Sequence, residues 1–161
     1  MVSRRAGVLA GLALVLGLVN AMVFQRETLL HDGRPVYLAL APADPRSILS
    51  GDYMRLDYEV SQEATRQSGD WPSSGRLVVR LDERGVGTFV RRDDGSRLEP
   101  GEVRLRYRSR RGRVGLGADA WFFEEGTAKL YQEAKYGELR VAPDGTVLIA
   151  GLRDKGLEPL K

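Results

Sequence analysis

Hydrophobic positions along the chain follow two regimes. From Ala6 to Phe24 the run AGVLAGLALVLGLVNAMVF contains no charge, and as a helix rising about 1.5 Å per residue it spans roughly 28 Å, the thickness of a bilayer's hydrocarbon core. Beyond it, apolar residues recur with period two in short stretches bounded by turn residues, the pattern of half-buried strands. Pro35–Ala41 alternates Val36, Leu38 and Leu40. Tyr53–Val60 sets Met54, Leu56, Tyr58 and Val60 against Tyr53, Arg55, Asp57 and Glu59. Arg76–Leu81 and Val86–Arg91 flank Asp82-Glu83-Arg84-Gly85, which predicts a hairpin. Val103–Arg108, Val114–Leu116 and Ala120–Phe123 are further strand candidates, and Glu138–Val141 with Thr146–Ala150 forms a last hairpin around Pro143-Asp144-Gly145.

One segment breaks the alternation. Thr127–Tyr136 (TAKLYQEAKY) is rich in helix formers, with Thr127 at the cap position and Gly137 where a helix ends. Gln62–Ser74 is the longest expected loop. The pattern therefore predicts a mainly β chain: a single-pass N-terminal transmembrane helix, then a small β-sandwich or barrel-like domain with one short helix. Residues 1–25 form a cytoplasmic stub and signal anchor, and 26–161 an exported domain. Arg4 and Arg5 ahead of the apolar run keep the N-terminus in the cytoplasm. Cleavage after Val19-Asn20-Ala21 is the competing reading, although the apolar run continues past that site through Met22-Val23-Phe24.

Charge and composition narrow the chemistry. The 25 Lys+Arg against 22 Asp+Glu give a net charge of +3, and because Arg4 and Arg5 precede the first acid, Glu27, the remainder is nearly neutral. A nucleic-acid binder would be strongly basic, so that partner is excluded. The chain has no cysteine and one histidine, His31. That removes disulfides, thiol nucleophiles, Cys/His metal sites and haem attachment, and no cofactor or metal is expected.

The densest cluster of unusual residues is Ala41–Tyr58, APADPRSILSGDYMRLDY. Pro45 drives Asp44 out of helical backbone, Arg46 offers a fork for a carboxylate, and Gly51 permits a close approach ahead of the next strand. An internal clasp of Asp44, Arg46 and Asp52, with the tyrosines filling core, accounts for these residue types. A recognition surface is the alternative.

Gly51, Asp52, Tyr53, Leu56 and Tyr58 match every defined position of the motif that names the GDYXXLXY family of bacterial membrane-anchored proteins. The resemblance extends to Pro42, Asp44, Pro45 and Arg46 upstream. Downstream it takes in Phe122-Phe123-Glu124-Glu125-Gly126, Ala128, Tyr131, Ala134, Tyr136-Gly137-Glu138-Leu139-Arg140 and Gly151-Leu152. Gln is typical of the family where Glu124 or Glu125 stands. The resemblance implies a protein of the bacterial inner membrane whose C-terminal domain faces the periplasm or cell exterior, and it implies no enzymatic activity.

Candidate contact chemistry comes from Arg104, Arg106 and Arg108, which share one face of a strand, with Tyr107 and Trp121 close by in sequence. Such a strip suits an acidic partner or anionic lipid; a solvated strand face is the plainer account. Catalysis has few parts to work with. Ser47 or Ser50 with Lys129 or Lys135 is a possible Ser-Lys pair, and Asp52 with Glu124 a possible carboxylate pair, but none lies in a nucleophile motif. The expectation is a non-enzymatic accessory or binding domain acting with another membrane protein; the alternative is an exported hydrolase.

Overall fold

A computed structural model describes residues 4–42, 53–67, 71–124 and 127–160. Helix α1 (Arg4–Asp32) is one uninterrupted rod. It is long and apolar enough to cross a membrane, a description that a secretion signal also fits. Its apolar side chains are exposed all round, Leu14 and Phe24 among them. Water does not stabilise such a rod, whereas hydrocarbon does.

Gly33 alone separates α1 from strand β1 (Arg34–Ala39). A Cβ on Gly33 would lie 2.3 Å from the Leu29 carbonyl oxygen and 2.9 Å from the Arg140 Cβ, so no larger residue fits the corner. The Gly33 N–H donates to the Leu29 carbonyl, 2.9 Å, closing the helix as the strand begins.

The strands β3 (Ser74–Leu81), β4 (Val86–Arg92), β5 (Glu102–Arg110), β6 (Arg113–Gly115), β8 (Tyr136–Val141) and β9 (Val147–Arg153) join β1 in a seven-stranded sheet of order β6-β5-β3-β4-β1-β8-β9. All pairings in it are antiparallel except β1 with β4. The sheet curls into a half-barrel. Its curl brings the β8–β9 turn round to β5, where the Arg106 N–H donates to the Gly145 carbonyl, 2.7 Å. A two-stranded ribbon pairs β2 (Tyr53–Arg55) with β7 (Ala120–Phe122).

The concave side holds the core: Val36 and Leu38 from β1, Leu77 and Val79 from β3, Leu105 and Tyr107 from β5, Leu139 and Val141 from β8. Helix α2 (Glu59–Arg66) turns Val60 and Ala64 into that core and packs against β1, β4 and β6.

The expected strand Tyr53–Val60 is thus cut short. After β2 the chain makes one isolated bridge, Leu40 with Tyr58, and then coils into α2, inside a stretch read from sequence partly as strand and partly as loop. The expected helix Thr127–Tyr136 is a 3-10 helix over Ala128–Glu133, and Tyr136 and Gly137 belong to β8. Gly137 serves the sheet rather than a helix end, since a Cβ there would stand 2.9 Å from Cε1 of Tyr58.

Candidate functional site

The motif runs from the ribbon into the core, and backbone alternation decides where each side chain goes. Met54, Leu56 and Tyr58 are buried, while Tyr53 on the opposite side of the ribbon is 41% exposed. Tyr58 is fully enclosed: its ring covers Gly137, and its hydroxyl donates to the Ala118 carbonyl, 2.7 Å. Burial raises the Tyr58 pKa far above its ordinary value, with the Asp119 carboxylate adding to the effect, so the hydroxyl stays a proton donor. Asp119 is itself raised by lost solvation, against the pull of N–H donors from Gly117 and Leu116.

Pairing of β2 with β7 sets Tyr53 directly opposite Phe122, ring centroids 5.9 Å apart. Phe122 is 74% exposed. This is a cross-strand aromatic contact turned to solvent, so of the two tyrosines that the clasp reading puts in the core only Tyr58 lies there. The alternation that groups Tyr53 with Arg55, Asp57 and Glu59 already implies this outward side.

Asp44, Pro45, Arg46, Ser47, Ser50, Gly51, Asp52, Glu125 and Gly126 lie outside the described residues, and with them the expected clasp, the Ser-Lys pair and the Asp52–Glu124 pair. Glu124 is exposed, and its carbonyl accepts from the Thr127 hydroxyl, 2.7 Å, just ahead of the 3-10 helix. Lys135 is exposed and ties its N–H to the Arg153 carbonyl. Tyr136 is half-buried at the start of β8. Among the described residues, no group of three His, Asp or Glu side chains could hold a metal ion.

The arginine strip does not act as one surface. Arg104 is engaged by Asp93, 3.0 Å, and by the Ser96 carbonyl, 2.6 Å. It belongs to a packed convex layer in which Asp93 also accepts from Arg76, 3.0 Å, while buried Glu102 accepts from Arg80, 3.1 Å, and from the Glu99 N–H, 3.0 Å. The Glu99 N–H, with Arg91 and Arg80 close by, holds Glu102 below the usual carboxylate range. Asp93 is likewise held down, its lost solvation outweighed by Arg104, the Gly95 N–H and Arg76. Among the described residues the Arg106 side chain pairs with Asp144, 3.4 Å, across an exposed pair, and exposed Arg108 has no partner. Tyr107 points the other way, into the core against Trp71. Trp121 packs edge-on to Tyr131 beneath the ribbon. The five candidate contact residues therefore divide between the convex face, the core and the ribbon.

A second ion cluster involves segments of the family resemblance. Buried Glu138 on β8 accepts from the Arg153 guanidinium, with Nε at 2.8 Å, and pairs with Arg140, 3.1 Å. All three chains are well shielded, so the cluster fastens β9 to β8.

Neither the curated proteins nor the solved structures contain a match to this chain. The family comparison does: the model of the GDYXXLXY protein family matches residues 15–152, from within the apolar helix to the last strand of the half-barrel. The chain belongs to the GDYXXLXY protein family.

Proposed function

We propose that the protein is a membrane-anchored, extracytoplasmic accessory domain without enzymatic activity, acting beside another membrane protein. The observation that carries this reading is the junction at Gly33. A membrane-length apolar helix passes into the sheet through a single boxed-in residue, which leaves no linker for reaching soluble targets at a distance. The domain works where its helix is held, and its targets lie in or on the same bilayer.

The Tyr53–Phe122 pair supplies the contact surface. Exposed aromatics are the residue types that anchor specific interfaces, and this pair sits at the end of the motif that the core does not use. The test is photo-crosslinking in intact membranes, with the crosslinker placed at Phe122. A specific adduct with one other membrane protein is expected, and it should be lost in Tyr53→Ala. Absence of any adduct there, or turnover of a peptide, glycan or ester by the purified chain, would overturn the reading. A reporter active only outside the cytoplasm, fused after Lys161, tests the orientation separately.

A further inference from the structure

Beside the apolar helix lies a recess of about 760 Å³. It is lined by Arg26 from α1, Arg76 from β3 and Arg106 and Arg108 from β5, with Tyr107 and Thr146 between them. The height of this recess follows from α1. Phe24 ends the uncharged run, and Arg26 follows two residues later, an axial step of about 3 Å. With Ala6–Phe24 in hydrocarbon, Arg26 stands at the level of the lipid headgroups. The strand ends that share the recess with Arg26 must stand at that level too.

The charge balance within the recess is one-sided. It has four arginines and no acid in its lining. Asp93 and Asp144 each hold one of these arginines from outside it, through Arg76 and Arg106. Arg26 and Arg108 have no acidic partner among the described residues. Arginine forks match the oxygens of a phosphate.

We propose that this recess binds the phosphate of an anionic phospholipid headgroup. The occupant is a lipid because the site is set at headgroup height by the same helix that enters the bilayer. The proposal rests on the anchored reading above. Carbonate extraction tests the anchor alone, so loss of lipid binding in a chain that stays in the membrane counts only against the recess.

The experiment is native mass spectrometry of the full chain released from mild detergent, titrated with short-chain phosphatidylglycerol, phosphatidylcholine or inorganic phosphate. One saturable phosphatidylglycerol adduct is expected, with phosphatidylcholine far weaker. Arg26→Gln with Arg108→Gln should weaken it about 30-fold, at about 1 kcal/mol per arginine. The control, Arg84→Gln with Arg97→Gln, removes equal charge from exposed turns and should leave the adduct unchanged. Should the double variant fail to fold, Arg108→Gln alone carries the test, since that side chain is exposed.

Equal binding of phosphatidylcholine would overturn the proposal. So would displacement by inorganic phosphate at comparable concentration, which would make the recess a free-anion site. An acidic protein lost from the double variant while phosphatidylglycerol stays bound would assign the arginines to a protein interface instead.

Discussion

Tyr58 and Tyr53 belong to the same motif, yet Tyr58 is fully buried and Tyr53 is 41% exposed. Everything around Tyr58 is shaped to it. Gly137 leaves room for the ring, Ala118 receives the hydroxyl, and Leu40 bridges the backbone. Tyr53 meets Phe122, itself largely exposed, across the ribbon. A motif defined by residue types therefore joins two kinds of requirement, one set by packing and one open to contact, and only burial separates them.

Substitutions at the two ends should separate by size. Tyr58→Ala removes a fully enclosed aromatic and is expected to cost about 3–5 kcal/mol, read as a lowered denaturation midpoint of the full chain in detergent. A midpoint within error of wild type would show that the inner end is not architectural. Gly137→Ala pushes a methyl against the Tyr58 ring and should cost about 1–3 kcal/mol. Its cost should shrink when combined with Tyr58→Leu, and strict additivity would mean that the two residues do not sense each other.

Tyr58→Phe keeps the ring and leaves the buried Ala118 carbonyl without its donor, for a loss of roughly 1–3 kcal/mol toward the lower end. At the outer end, Tyr53→Ala and Phe122→Ala should each change stability by no more than about 0.5–1 kcal/mol, the scale of one exposed cross-strand pair. On the accessory-domain reading proposed above, the same changes should abolish crosslinking from this surface. If Tyr53→Ala unfolds the chain as Tyr58→Ala does, the contrast between the two ends disappears.

Much of the half-barrel was legible in the sequence because period-two alternation survives wherever one strand face is buried. Val36 and Leu38, Leu77 and Val79, and Leu105 and Tyr107 all lie on the concave side that their spacing implies. The alternation failed at Glu59–Arg66. Tyr58 and Val60 satisfy a strand as well as they satisfy the start of a helix, and Ala64 is the only further apolar residue on that helix's buried side. Gly137 was misread as a helix stop for a different reason: its purpose lies in Tyr58, far away in sequence.

The site was less legible still. That Arg104 is neutralised by Asp93 while Arg108 has no partner among the described residues depends on which loop folds over which strand. Arg26 joining Arg108 depends on the curl of the whole sheet. Residue spacing within one strand records neither.

The boxed-in corner at Gly33 also has a mechanical consequence. A span seated in a bilayer leans to match the local hydrocarbon thickness, by about 20° on average. A flexible tether would absorb that lean, whereas a helix that passes into a strand through one residue, with Leu29 and Arg140 closing around it, transmits it. The half-barrel then behaves as a pointer fixed to its shaft. In the anchored reading proposed above, thinner or thicker membrane becomes a change of attitude in the half-barrel, and the faces that it turns toward its neighbours rotate with the bilayer.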